Sequence, residues 1–526
     1  MKMRWRRRIK PSKFARRISI TRQWILPLQL QPQRELPRLF PINMNVNPRR
    51  PIFNRRPQVN IYRMFVWVVM ILGGVWMIQQ INKGDIQPLF QPTAIPTRSV
   101  DSYALEGDAN FSAGKVEAAI LAYQNALTVD PNNAEIWWKL ARIQTYSSAF
   151  LITNDEKKAR LQEALQSATK AVELAPDDSN ARAVRAFALD WNANRNFYTA
   201  EEIQDFLIEA ENEALQAQQL DSSNALALAY YAEVLVDQLK WDQAELIIKQ
   251  ALDLDDSLMD VHRVYAYVLE TLAQYNLAIT EYDKAIAIEP NFTSLYLSAG
   301  VNYRRLASEI GDLDAARPVY EKSLEYFDRA AKINKQLGVN DPGPYLSIAR
   351  TYTQLGEFFI AARNVQTALS YQPTNPEIYG QLGLVYFRSR NYEGSIYSLQ
   401  CATYGCSGED SCLGRGLEKC FPNLNENPVD VPGQVISPNT IVYYYTYGSV
   451  LAALSRPRDN KCDLAMKVLN EVKTEVNSNP EAYADGRDTI LFDIVQPSEF
   501  ICQSLNESGV PASSVPGAEG TPTPTP

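Results

Sequence analysis

The sequence is poor in the residue types that carry chemistry. Its 526 residues include one histidine, His262, and six cysteines, none of them before position 401. A lone imidazole leaves little for His-based acid–base work. By register, His262 falls early in a helix, where a packed structural role is expected. No Cys-x-x-Cys pair is present, which argues against a dithiol redox centre and against the usual zinc spacing. LGRGLE (residues 413–418) contains a Gly-x-Gly but lacks the strand-turn-helix setting that cradles phosphate. The carboxylates read as helix caps and solvated faces, and no pair stands out as catalytic. The chain is expected not to be an enzyme, and no cofactor or metal is expected.

Acidic residues are almost missing from one end. Residues 1–63 hold 17 Lys and Arg against a single acid, Glu35, a net of +16. The remainder holds 35 bases against 59 acids, a net of −24, which gives −8 overall. A basic tail on an acidic body implies two environments. With 46% hydrophobic and 21% charged residues, wholesale disorder is excluded.

Long apolar runs are also scarce. The one that stands out is residues 64–78 (MFVWVVMILGGVWMI), 15 residues without a polar side chain. As a helix it reaches about 22 Å, short of a hydrocarbon core of about 30 Å. Arg63 at one end and Gln79, Gln80 and Lys83 at the other extend it into the headgroup layers, and Trp67 and Trp76 suit the interfaces. A signal-peptide core is the alternative, but QQINKGDIQ downstream offers no small-x-small cleavage site. An uncleaved transmembrane helix over residues 61–82 is therefore expected. The basic flank should stay cytoplasmic, which places the repeat body outside the cytoplasm in a single-pass arrangement. Residues 1–60, rich in Pro and Arg, are expected to be a disordered cytoplasmic tail touching anionic lipid. Nucleic acid is an alternative ligand for that tail, disfavoured because no folded nucleic-acid motif accompanies the charge. Residues 83–99 read as a Pro-containing linker.

Beyond the linker the sequence repeats. Ser222 to Asp256 is 34 residues, and Asp256 to Pro290 is again 34. NALTVDPNN, KAIAIEP and QTALSYQPTNP each close a helix with Pro or Asp. Two amphipathic helices per 34-residue period is the sign of a helical repeat array. Three intervals run longer: Pro131 to Pro176 spans 45 residues, Pro176 to Ser222 spans 46 and Pro290 to Lys335 spans 45. Each carries about eleven or twelve extra residues between or within its two helices, a cheap insertion.

The pattern resembles the tetratricopeptide repeat (TPR) family. The residues that carry the likeness are Tyr103, Gly107, Gly114, Ala119, Tyr123, Ala126 and Pro131 in one unit and Tyr345, Ala349, Tyr352, Gly356, Phe358, Ala361, Ala368 and Pro373 in another. Tyr379, Leu382, Gly383, Tyr386, Tyr392 and Ala402 carry it in a third. The resemblance implies an all-α fold, a right-handed superhelical solenoid of about nine helical hairpins preceded by one transmembrane helix. Repeats 1–8 are expected over residues 100–403, a Cys-containing loop over 404–437, repeat 9 with C-terminal helices over 438–508, and a disordered Pro/Thr-rich tail over 509–526. Each hairpin is marginal alone and needs its neighbour.

All six cysteines, Cys401, Cys406, Cys412, Cys420, Cys462 and Cys502, fall on the expected outer side, which suits disulfides. Their connectivity is left open. Zinc on Cys401, Cys406, Cys412 and Cys420 is the alternative, weakened by the absence of Cys-x-x-Cys and of a nearby His. Asn291-Phe292-Thr293 and Asn506-Glu507-Ser508 are acceptor triplets for N-glycosylation.

The resemblance further implies a concave surface lined by the first helix of each unit. Carried onto this chain, the lining positions include Trp138, Arg142, Arg304, Arg305, Arg350, Phe387 and Arg388, with Leu297, Val301, Leu346 and Leu384 beside them. These arginines would grip an acidic or carboxylate-ended peptide, or else pair with neighbouring Glu and Asp. The expected function is a non-enzymatic, membrane-anchored scaffold that binds a partner protein or peptide. The alternative is an accessory subunit of an envelope assembly or export complex, for polysaccharide for example. A weaker reading has the basic tail tethering nucleic acid.

Overall fold

The computed structural model describes residues 60–83, 98–151, 153–420, 427–484 and 486–508. The basic tail, most of the linker and the Pro/Thr-rich tail lie outside the described residues. The chain divides into two units, Met1–Ile95 and Pro96–Pro526.

In the first unit, α1 (Ile61–Lys83) is a single helix of 23 residues, about 35 Å long. Its segment Ile61–Gln80 is long and apolar enough to cross a membrane, and none of it is buried against protein.

Among the described residues, the second unit is an α-solenoid of nine hairpins. They are α2 (Val100–Ser112) with α3 (Val116–Val129), α4 (Ala134–Ser147) with α5 (Asn154–Leu174), and α6 (Ser179–Asn192) with α7 (Ala200–Leu220). Next come α8 (Ala225–Asp237) with α9 (Trp241–Leu254), α10 (Met259–Thr271) with α11 (Tyr275–Ile288), and α12 (Thr293–Glu309) with α13 (Leu313–Leu337). The last three are α14 (Gly343–Gln354) with α15 (Phe358–Tyr371), α16 (Pro376–Arg388) with α17 (Tyr392–Thr403), and α19 (Ile441–Leu454) with α20 (Cys462–Ser478). Between the last two hairpins lies a short helix, α18 (Gly408–Gly414). Beside it, β1 (Gly405–Cys406) pairs antiparallel with β2 (Val431–Pro432). A π-helical turn, Thr489–Val495, leads into α21 (Gln496–Ser508), which closes the array.

Local signals set these boundaries. The side chains of Asn133, Asn224 and Asn375 accept a hydrogen bond from a first-turn N–H of α4, α8 and α16. Within a hairpin, one left-handed residue turns the chain: Gly114 (φ 76°) and Gly356 (φ 74°), but also Leu239 (φ 63°), Ala273 (φ 56°) and Arg390 (φ 61°). The hairpins are stapled by small residues. At Gly107 a Cβ would stand 2.6 Å from the Tyr123 ring, so only glycine lets α2 lie on α3. Ala119, Ala126, Ala164, Ala210, Ala251, Ala285 and Ala368 are fully buried.

Most of the extra residues of the long units are built into the second helices, and in the second and third units the rest lie in the connections before α5 and α7. Helices α5 and α7 have 21 residues and α13 has 25, against 14 in α3, α9, α11 and α15. The lengthened α5 and α7 begin with reciprocal capping boxes, Thr153 with Glu156 and Thr199 with Glu202.

The solenoid coils back on itself after five hairpins. The Phe111 and Phe292 rings meet at 5.7 Å. Ser112 Oγ donates to Glu289 at 3.2 Å, and Asn291 Nδ2 donates to the Ser112 carbonyl at 3.2 Å. Farther along, Asn439 Nδ2 reaches Asn196 Oδ1 at 3.4 Å. Hairpins six to nine thus form a second turn seated on the first.

Candidate protein-interaction surface

The inner helices of the first turn face one another and are tied together by charge. Asp260 on α10, 1% exposed, lies at the centre. Arg142 on α4 donates from Nε to Asp260 Oδ1 at 3.2 Å and ion-pairs with the other carboxylate oxygen. The Tyr230 hydroxyl donates to Asp260 at 2.6 Å, and the Tyr146 hydroxyl does so as well. Arg263, on the same helix as Asp260, donates to Tyr146 Oη at 3.0 Å and holds Glu233 on α8 with two bonds of 2.8 and 2.5 Å. Trp191 Nε1 donates to Glu233 at 3.0 Å, and the Phe187 ring stacks on Tyr230 at 4.3 Å.

The electrostatics follow from this geometry. Burial pushes the Asp260 carboxyl up, but Arg142 and Arg263 overcome it and hold the group down at about 2. Burial likewise opposes the charge on Arg142, and Asp260 reverses the balance and raises it. Asp190, buried on α6 with Oδ1 unpartnered, has its carboxyl pushed up by burial and by Asp237 and Glu233.

The expected groove residues therefore separate into two groups. Arg142 is committed to Asp260 inside the first turn, and Arg305 to Glu270. Trp138 is half-buried against the core, with Lys139 Nζ 5.9 Å from its ring centre. Arg182 and Arg185 on α6 both bind Glu213 on α7, at 3.1 and 2.5 Å.

The second turn differs. Arg304 on α12 lies over the Phe327 ring at 5.5 Å and donates to the Ser347 carbonyl at 3.2 Å, with no carboxylate partner among the described residues. Burial, together with the like charges of Arg350 and Arg305, holds its guanidinium below the ordinary value, at about 10, which is still charged at neutral pH. Arg350 on α14 and Arg388 on α16 are exposed and form no ion pair among the described residues. Phe387 is half-buried and packs 5.9 Å from Tyr392. Tyr445 on α19 is half-buried in the field of Arg388. Tyr443 crosses to α16, donating to Glu377 at 2.5 Å and filling the space over Gly380.

Sequence reasoning missed Asp260, Glu233 and Tyr445. The signal was present: the same lining register that picks out Arg142 falls on Asp260, Arg263 and Glu233, so complementary charge was legible before their contact was.

The cysteines pair as Cys401–Cys406, Cys412–Cys420 and Cys462–Cys502, with Cα separations of 4.7, 5.3 and 5.4 Å. The zinc alternative is thereby corrected, because its four sulfurs are already bonded to one another. The first two bridges fasten the loop around α18, and the third ties α21 to the start of α20. His262 is buried, with Nδ1 2.7 Å from Glu281 and Nε2 2.8 Å from the Asp256 carbonyl, the structural placement expected of it. In the Asn291 triplet, Asn291 is engaged by Ser112, and Phe292 and Thr293 are buried.

Comparison with known proteins finds tetratricopeptide repeats in two stretches of this array. A TPR repeat family model matches residues 107–144, across α2 to α4, and a tetratricopeptide repeat model matches residues 264–292, across α10 and α11. No curated protein sequence matches the chain significantly. Among solved structures, it is similar to a thermophilic TPR protein of Thermus thermophilus, TTC0263, at 20% identity over 39% of this chain and 98% of that one, with a TM-score of 0.33. It is also similar to human IFIT1, seen as a dimer with PPP-AAAA, at 15% identity over 74% of this chain and 91% of that one, TM-score 0.44. The same human protein with m7Gppp-AAAA aligns at 14% identity over 73% and 90%, also with a TM-score of 0.44.

Proposed function

We infer that the protein is a non-enzymatic, membrane-anchored scaffold whose solenoid stands outside the cytoplasm and binds a partner protein through the inner face of its second turn. One observation carries the reading. Arg142 and Arg263 on the inner face of the first turn are paired with its own carboxylates, while the second keeps Arg350 and Arg388 exposed and without an ion pair among the described residues. Polar groups already satisfied within a fold have little to gain from a ligand, whereas exposed arginines beside aromatic rings are the types enriched where binding energy concentrates. The anchor rests on the bare apolar helix Ile61–Gln80 and the orientation on the +16 flank that precedes it. Six cysteines paired within the body suit an oxidising compartment.

Crosslinking from residues near Arg350 and Arg388 in native membranes, followed by identification of the attached chain, tests the scaffold. A defined partner attached at α14 or α16 supports it, and crosslinks confined to neighbouring lipid sink it. If the attached chain is an enzyme subunit, the protein is an accessory of an envelope assembly complex. Protease treatment of intact cells tests orientation separately: the body should be cut and the basic tail protected.

A further inference from the structure

The second and third hairpins both carry inserted residues, and a cleft of about 590 Å³ lies where they meet. Helices α5 and α7 both pack on α6. The cleft is lined by Gln162, Gln166 and Thr169 of α5, Asn192 at the end of α6, and Tyr198 and Phe206 around the start of α7. Its volume falls within the roughly 300–1,000 Å³ of small-molecule sites. The aromatic wall is fixed in place: the Tyr198 and Phe206 rings meet at 4.9 Å, and Lys158 Nζ stands 4.4 Å from the Tyr198 ring centre. Both rings are half-buried.

Nothing in this lining calls for a charged ligand. Its charged residues, Lys170 and Glu173, pair with each other at 3.1 Å. Arg185, behind Thr169, is bound by Glu209 and Glu213, and Lys158 donates to the Phe197 carbonyl at 3.3 Å. The groups left open are neutral and of both hydrogen-bonding senses. The Tyr198 hydroxyl accepts from Gln162 Nε2 at 3.1 Å, so its own hydrogen remains to donate. Thr169 Oγ1 accepts from Arg185 Nε at 3.3 Å and likewise keeps its hydrogen. Gln166 is exposed and makes no hydrogen bond through its side chain among the described residues. Asn192, 1% exposed, gives its amide hydrogens to the Leu161 and Ala188 carbonyls at 3.0 and 2.8 Å, and its Oδ1 is left without a partner.

That combination selects among ligands. A nucleotide or an anionic head group needs counter-charge, and an apolar chain would cover Gln162, Gln166 and Thr169 without offering them partners. A sugar ring meets both demands. One of its faces is C–H and lies against an aromatic ring, while each hydroxyl on its edge both donates and accepts. We propose that the cleft between α5 and α7 binds a neutral saccharide, stacked on the wall of Tyr198 and Phe206 with its hydroxyls set against Gln162, Gln166 and Thr169. The site is built on the second helices of the repeats rather than on the inner ones, so it stands independently of the scaffold reading above.

The test is saturation-transfer NMR on the full chain in lipid nanodiscs, with neutral hexasaccharides of glucose, mannose, galactose and N-acetylglucosamine as probes. At least one probe should receive saturation from the protein. Tyr198→Ala should weaken its binding about tenfold, and Tyr198→Phe, which keeps the ring, should weaken it less. Gln166→Ala, at an exposed position that the fold does not use, should weaken it severalfold and keeps the test sound if Tyr198→Ala disturbs the connection before α7. Raising salt from about 50 to about 200 mM should leave the affinity unchanged, as an uncharged ligand requires. Failure of every probe to bind overturns the proposal, as does binding that survives both Tyr198→Ala and Gln166→Ala. Tighter, salt-sensitive binding of dextran sulfate overturns the neutral class. Displacement of the bound saccharide by an uncharged Gly/Ser/Gln peptide at lower concentration assigns the cleft to polypeptide and overturns the saccharide.

Discussion

The two turns of the solenoid are made from the same repeat and differ in how many of their inner arginines are paired within the chain. In the first, Arg142 and Arg263 are drawn inward: Asp260 meets Arg142 from three hairpins along the chain, and Glu233 meets Arg263 from the neighbouring hairpin. The charges hold the turn closed. In the second, Arg305 pairs with Glu270, but Arg350 and Arg388 form no ion pair among the described residues and remain at the surface. The difference shows that a lining position does not by itself make a binding residue. Whether the superhelix brings an acid across from it decides whether the arginine is structure or surface.

Four experiments would break or sharpen that contrast. The largest effect is expected from Asp260→Ala, which strands Arg142 in a buried site without its counter-charge. A loss of about 3–5 kcal/mol is expected, read by urea denaturation and by hydrogen exchange in α4, α8 and α10. Its pH dependence has a definite sign. The carboxyl sits near 2 in the folded chain against an ordinary 3.8, so its contribution is full above about 4 and is lost as pH falls towards 2. The stability gap between the parent and Asp260→Asn should close over that window, and a gap unchanged down to pH 2 would mean Asp260 is not ionised in the fold.

Next comes the end of the second turn. Cys462→Ser with Cys502→Ser opens the 40-residue span that ties α21 to α20, at a cost of about 2–4 kcal/mol. The loss should appear as protease cleavage near residues 484–500 while the first turn stays resistant. Uniform destabilisation of both turns would show that they are not separable.

A smaller effect of opposite sign is expected at the hairpin turns. Leu239 is left-handed and 72% exposed, so its side chain gains little from packing while its backbone is strained. Leu239→Gly should stabilise the first turn by about 1 kcal/mol in thermal unfolding. The smallest changes belong to the open strip. Arg350→Ala and Arg388→Ala should each alter stability by less than about 0.5 kcal/mol. A loss comparable to that of Asp260→Ala would mean these arginines are held by the fold after all.

Much of the fold was legible in advance, because each hairpin is a local object. The 34-residue period, the small residues at Gly107 and Gly383, the asparagine caps and the closing prolines all act within about one repeat. The inserted residues could be counted but not placed. Their absorption into α5, α7 and α13 depends on whether two further turns of helix find a neighbour to pack on. The surface was half legible. Arg304, Arg350 and Arg388 were identified as lining residues, but Arg142 and Arg305 were identified on the same grounds and turned out to be partnered within the chain.

The sequence by itself determined the repeat, the number of hairpins, the apolar helix at Ile61–Gln80, the charge division between tail and body, and the restriction of cysteine to the last third. Each is carried by composition or short-range periodicity, which needs no knowledge of where distant residues meet. Only the tertiary structure decided which cysteines join, that the coil closes after five hairpins with Phe111 on Phe292, and which arginines are neutralised. Those outcomes depend on the small rotation from each hairpin to the next. Summed over five hairpins, that rotation sets whether Asp260 lies opposite Arg142 or opposite water, and no single repeat encodes the sum.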